Sequence, residues 1–349
     1  MSGLHVEHRG SARWLACWEA TGREPFSHPE FGRLFAGPDD ETVAVCWEDG
    51  GGRVLLPLVL RAVPEDVPAP SGDGLADAWR DAVSPYGYGG PFVGGHPDLT
   101  AFYAALLARM RDDRVLSAFV RGTVVGPVAA DPMPDGVRAV HLADNVVVGL
   151  GLPAEERWRR YEHKVRKNVN KARRNGLTTI VSDVLDDPDG FAEVYGTTMQ
   201  RRDASAFYRF DADFFASLGR ALAGSYWVAD TRAEDGTVVS TELVLRGERT
   251  CYSFLGGTRQ EAFPMSPNDL LKHDVIEHAA ASGLEHYVLG GGYQPGDGIF
   301  RYKKAFDPTG IVPFHGVQLV PDAGAYEEAC SAAGAADVSF FPRYRAPSA

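Results

Sequence analysis

Cysteine is scarce in this 349-residue chain, and the four present stand apart. Cys17, Cys46, Cys251 and Cys330 show no CxxC spacing. That excludes a disulfide-stapled framework and a zinc ribbon, and it suits a reducing, cytoplasmic setting. The histidines are scattered as well. His273 and His278 lie five apart without forming HExxH, so no metal centre is expected. No run of about 18 apolar residues occurs, which leaves no membrane span to expect. The opening MSGLHVEHRG lacks the apolar core of a secretory leader. Neither GxSxG nor GxxxxGKS/T is found, so no serine elbow or P-loop is expected. Positive charge is also in deficit. The net charge is −12, which argues against wholesale coating of nucleic acid while allowing a local contact.

The hydrophobic fraction of 44% and charged fraction of 23% are those of an ordinary soluble protein, and the length suits about two domains. Against the acidic background one stretch stands out, YEHKVRKNVNKARRNG from Tyr161 to Gly176. Val165, Val169 and Ala172 fall at helical spacing and form an apolar stripe. Lys164, Lys167, Lys171 and Arg174 form a basic stripe on another face. Gly176 behind the basic last turn is placed as a C-cap. From Arg157 to Arg174 there are nine basic residues and one acid, Glu162, which leaves −20 for the rest of the chain. Such a face is either solvated surface or a site for a polyanion: RNA, or the phosphates of a nucleotide-linked ligand.

Along the chain, helices are predicted at Ala12–Ala20 and Leu99–Asp112, and strands at Thr42–Glu48 and Arg53–Arg61 joined by Asp49-Gly50-Gly51-Gly52. Val63–Gly74 reads as an exposed loop. Further strands are predicted at Ser117–Val125, His141–Leu150 and Leu177–Val184. Helices follow at Asp189–Arg202 and Asp211–Ala223. Ser225–Asp230, Val238–Arg246 and Thr250–Leu255 read as an antiparallel meander. A helix at Asn268–Ser282, a strand at His286–Leu289, a last strand at Val312–Val320 and a helix at Tyr326–Gly334 complete the order. The class is therefore α+β with mixed, largely antiparallel sheets.

Several residues are candidates for chemistry, each with a structural alternative. Ser84–Gly95, SPYGYGGPFVGG, excludes a helix. It is either a rigid turn or a loop that brings the backbone to a ligand, with Tyr86 and Tyr88 as walls. Lys303 and Lys304 follow the glycine-rich GGGYQPGDG. If IFRYKKAF is a strand, they point to opposite faces, and one can supply a cation to an oxyanion or phosphate. Arg202, beside Asp203, can fork onto an anion or pair with its neighbour. Core packing is the default for Tyr252 and Phe254, and an N-cap the default for Asn268.

HKVRKNVNKARRNGL behind a strand ending in VVVGL, then TTMQRRD, YSFLGGT, NDLLKHDVIEHAAASGLEHYVLGGG and GIFRYKKAF, with SPYGYGGP upstream, resembles the Fem family of aminoacyl-tRNA-dependent peptidyltransferases over residues 25–320. The resemblance implies two tandem GNAT-like acyltransferase domains. The first is expected over 1–145, completed by 322–349, and the second over 146–321. It also implies transfer of an amino acid from aminoacyl-tRNA to an amine of a peptidoglycan precursor or a secondary-metabolite acceptor. Lys303 would stabilise the oxyanion and Arg202 grip an acceptor diphosphate. Tyr86, Tyr88, Tyr252, Phe254, Asn268 and Tyr302 would contact substrate, and Lys164, Lys167, Lys171 and Arg174 the tRNA. No cofactor is expected beyond that co-substrate. The rivals are an acyl-CoA-dependent N-acyltransferase, against which the missing Q/RxxGxG/A loop counts, and a non-catalytic RNA- or nucleotide-binding protein. A monomer is compatible with the sequence, which does not set the oligomeric state.

Overall fold

The computed structural model describes residues 3–67, 79–335 and 338–347, so the loop expected at Val63–Gly74 lies partly outside the described residues. The chain forms two compact units, 1–142 with 314–349, and 143–313.

The first unit opens with β1 (Gly3–His8), α1 (Ala12–Ala20), β2 (Glu41–Glu48) and β3 (Gly52–Ala62). β4 (Arg80–Val83), β5 (Phe92–Gly95), α2 (Leu99–Asp112) and β6 (Val115–Arg121) follow. The second unit takes up β7 (Val137–Gly149), which begins within the first. It continues with α3 (Ala154–Arg160), α4 (His163–Arg174), β8 (Thr178–Ser182), α5 (Pro188–Arg201), α6 (Ala212–Ala221), β9 (Tyr226–Arg232) and β10 (Val238–Arg246). β11 (Thr250–Thr258), α7 (Pro267–Ala281), β12 (His286–Gly290) and α8 (Gly298–Lys304) complete it. β13 (Ile311–Leu319) and α9 (Ala323–Ala332) return to the first unit.

The strand orders of the two units repeat one another. In the first unit the strands run β1-β2-β3-β4-β6-β13, with β5 also on β3. In the second they run β8-β9-β10-β11-β12-β7. Each has an antiparallel meander and then one parallel pair, β4 with β6 and β11 with β12. One helix makes each crossover, α2 and α7, as a parallel pair requires. The first core gathers Val54, Leu56, Phe102, Leu106 and Val120, and the second Val165, Trp227, Leu271, Ile276 and Tyr287.

Four expectations need correction. The basic stretch is not one helix from Tyr161, because α3 ends at Arg160 and Tyr161 turns the chain with its ring buried. The end of the Tyr/Gly loop, Phe92–Gly95, pairs with β3 as a strand. IFRYKKAF is helical, because Asp297 caps α8 by accepting from the Phe300 N–H at 2.7 Å. Asn268 is not a cap: Ser266 holds that position, in the left-handed region.

The close of α4 follows expectation. Gly176 has φ +71°, its N–H donates to Arg173 O at 3.1 Å, and the Leu177 N–H donates to Ala172 O at 3.2 Å. That is a Schellman cap. A Cβ on Gly176 would meet the Glu234 side chain as well as the left-handed strain. Gly176→Ala is therefore expected to cost about 1 kcal/mol, measured by urea unfolding.

Candidate functional site

The second unit gathers most of the candidate residues. α4 buries Val165, Val169 and Ala172 and exposes Lys164, Lys167, Lys171 and Arg174. Lys164 lies 3.3 Å from Glu162, but no carboxylate pairs with Lys167, Lys171 or Arg174 among the described residues. Other surface arginines of the unit are paired, Arg249 with Glu285 and Arg259 with Glu193. α4 is tied to α7 by Asn168, whose Nδ2 donates to Asp269 Oδ1 at 3.2 Å. Burial raises the Asp269 carboxyl to about 6, opposed by the Asn168 hydrogen bond and the Lys164 charge.

α8 carries Tyr302 and Lys303. Tyr302 Oη accepts from Asn268 Nδ2 at 2.9 Å, so two of the expected substrate residues bond each other. Lys303 is half-buried, and its Nζ donates to Gly291 O at 2.7 Å. Burial lowers its pKa to about 8, and the positive charge of Lys272 lowers it further, against Glu242 and Asp297. At neutral pH it is mostly an ammonium, a donor suited to a developing oxyanion. A Cβ on Gly291 would meet Asn145 Oδ1 at 2.8 Å and Asp144 O at 2.9 Å, so the chain here lies too close to β7 for a larger residue.

Arg202 is exposed at the C-cap of α5, and its charge reaches Lys303. Its neighbour Arg201 is engaged instead, donating to Thr258 O at 3.3 Å and stacking on Phe263. Tyr252 is only 1% exposed, between Leu245 and Val288 of the flanking strands, and so belongs to the core. Phe254 is half-buried. Tyr86 and Tyr88 lie in the first unit. Tyr86 packs on Phe35, and Tyr88 sits edge-on to Phe26 and to Phe314, both at 5.3 Å.

Sequence reasoning missed a buried polar cluster. Lys272 of α7 pairs with Glu242 of β10 and donates to Ser253 Oγ at 2.6 Å, while Tyr287 Oη donates to Glu242 Oε2 at 3.0 Å. Lys272 and Glu242 are 6% and 3% exposed. The available signal was a lysine directly behind Leu270-Leu271 and a glutamate inside the strand VVSTELVLR. Among the described residues no group of His, Cys, Asp or Glu is arranged to hold a metal, and no helix is long and apolar enough to cross a membrane.

Two outcomes follow from these charges. Lys272→Met strands Glu242 in the core and is expected to cost roughly 3–5 kcal/mol, whereas Lys272→Met with Glu242→Gln recovers most of it. A double-mutant cycle by urea unfolding checks this. For Lys303, the unfolded ammonium titrates near its ordinary 10.5 and the folded one near 8. The unfolded chain therefore binds more protons between those values, and stability rises with pH across that window. The rise is absent in Lys303→Met when unfolding free energies at either end of the window are compared with those of the parent protein.

Residues 159–304 match the family model described as an acetyltransferase (GNAT) domain. No curated protein sequence matches significantly. Among solved structures, FemX is similar at TM-score 0.64 and 13% identity, over 90% of this chain and 97% of that one. L-PGS from Bacillus licheniformis is similar at TM-score 0.55 and 14% identity, over 90% and 93%. A C-terminal domain assigned to a lysylphosphatidylglycerol synthetase from Agrobacterium fabrum is similar at TM-score 0.55 and 16% identity, over 91% and 95%. The second unit thus carries the match to an acetyltransferase (GNAT) domain, and the fold over 90% of the chain is similar to that of FemX.

Proposed function

We propose that this protein is an aminoacyltransferase that takes an amino acid from aminoacyl-tRNA and joins it by an amide bond to an amine. The acceptor class is a peptidoglycan precursor or a secondary-metabolite amine or peptide. The observation that carries this reading is the exposed basic face of α4, without carboxylate partners at Lys167, Lys171 and Arg174, in the same unit as Lys303. A row of cations at helical spacing suits the phosphates of an acceptor stem.

The chemistry requires little else. The neutral acceptor amine attacks the ester carbonyl of the aminoacyl-tRNA. A C–N bond forms, the carbonyl oxygen becomes an oxyanion, and the Lys303 ammonium donates to it. Collapse breaks the ester C–O bond and releases the ribose oxygen, which takes up a proton as the amine nitrogen loses one. The donor is already activated, so positioning and oxyanion stabilisation carry the step and no protein nucleophile is needed. Arg202, Asn268 and Tyr302 are proposed to position the acceptor around Lys303. The second reading, transfer from acyl-CoA, is favoured by the description of the matched family as an acetyltransferase domain.

A transfer assay with pooled charged tRNA bearing labelled amino acids, and amine acceptors from cell extract, tests both. Label is expected in a small product and lost on RNase treatment. Transfer from acyl-CoA with release of free CoA, and none from tRNA, would overturn the tRNA reading. Lys303→Ala is expected to lower kcat roughly 100- to 1000-fold with tRNA binding retained. Lys164, Lys167, Lys171 and Arg174 all changed to Glu are expected to weaken tRNA binding and lower its log–log salt slope by roughly 3.

A further inference from the structure

A cavity of about 840 Å³ opens in the first unit. Its floor is one face of the sheet. Phe119 and Arg121 of β6, and Arg138, Val140 and Leu142 of β7, stand at the two-residue spacing that shares a face. The Ser84–Tyr86 segment and the C-terminal segment from Ser339 to Arg345 wall it.

Its charge is one-sided. Arg61, Arg121, Arg138 and Arg345 line it, and no Asp or Glu does among the described residues. Two of the four are set in place by Asp81, which is fully buried. Arg61 Nε donates to Asp81 Oδ1 at 2.9 Å, Arg345 Nε donates to Oδ2, and Tyr344 Oη donates to Oδ2 at 3.2 Å. That single carboxylate is shared by both guanidinium groups, whose remaining N–H donors are held in a fixed geometry. Arg121 and Arg138 are exposed, and no carboxylate pairs with either among the described residues. On a chain of net charge −12, four guanidinium groups gathered around one carboxylate are not solubilising surface. Four aromatic residues, Tyr86, Phe119, Phe340 and Phe341, also line it. Phe119 and Phe341 lie with ring centroids 6.0 Å apart, and Phe340 is 47% exposed.

We propose that this cavity binds an organic anion, with a phosphate or carboxylate at Arg121 and Arg138 and an aromatic or apolar body against Phe119, Phe340 and Phe341. The volume is that of a drug-sized ligand rather than a free inorganic ion. Planar guanidinium donors recognise phosphate or carboxylate oxygens in pairs, which selects the anionic end. The site does not depend on the transfer chemistry at Lys303.

Isothermal titration of the full chain with 1-naphthyl phosphate, 1-naphthoate, inorganic phosphate and 1-naphthol tests this. At least one aromatic anion is expected to bind about tenfold or more tighter than inorganic phosphate and 1-naphthol, and the better of the two names the anionic group. Arg121→Ala with Arg138→Ala is expected to weaken that binding about tenfold or more, and Phe340→Ala to weaken it as well. All three side chains are exposed enough to leave the fold intact, which thermal unfolding checks. Lys303→Ala is expected to leave binding unchanged. No binding of either aromatic anion to about 1 mM, binding matched by inorganic phosphate or 1-naphthol, or binding indifferent to the Arg121/Arg138 and Phe340 variants would each overturn the proposal. Because no tRNA or transfer step is involved, failure here is separate from failure of the aminoacyl-transfer reading.

Discussion

The second unit depends on a charge pair in a place where charge is expensive. α7 is buried on nearly every side, and Lys272 enters its packing beside Leu270, Leu271 and Val275. An ammonium there survives only because Glu242 faces it and Ser253 and Tyr287 supply the remaining hydrogen bonds. The pair contributes little net stability against an apolar substitute, yet it constrains geometry tightly. It ties the crossover helix to β10, β11 and β12 at once, and a slip of any one leaves a buried charge unpaired. The same two groups act on Lys303 with opposite sign, Lys272 more strongly than Glu242, and burial is the main reason its pKa is low.

α4 shows the complementary solution. Its apolar stripe packs against the core and its cap closes without strain, so its charged face is free of structural duty. On a chain with more acids than bases, carboxylates are available to neutralise arginines, and they do so at Arg157 with Glu277 and Arg343 with Glu327. Along α4 they are largely absent. A face kept positive against that background is costly to maintain through self-repulsion unless something negative sits on it.

Much of this was legible in the sequence because local chemistry and packing agree. α1 and α2 begin after Ser11 and Asp98, whose side chains cap them, and their ends fall where the periodicity stops. The meander is marked by its turns. What was lost has physical reasons. β5 is four residues with two glycines, and it exists only by pairing with β3. IFRYKKAF fits periods of two and of three to four equally in so short a span, and the Asp297 cap decided it. Lys272 is hard to place from sequence because a helix buried on nearly every side has no polar face to betray which charge points inward. The arginine cavity was invisible for another reason: its lining comes from segments nearly the whole chain apart, from Arg61 to Arg345.

The duplicated frame explains where function is to be sought. Both units lay out the same six strands around one crossover helix, so the frame itself cannot distinguish them. They differ where the chain leaves it. After β12 the second unit runs into Gly291 and α8, and this excursion places Lys303. After β6, the strand in the corresponding place, the first unit has no helix before β7 and presents no such lysine. It presents guanidinium groups instead, two of them clamped by Asp81 through a C-terminal segment that the second unit does not possess. A fold that repeats has thus diverged into one unit furnished with an ammonium and an exposed basic helix, and another furnished with an arginine-lined cavity. Each cation set sits on segments the shared frame does not require, and segments free of framework duty can change without loss of the core.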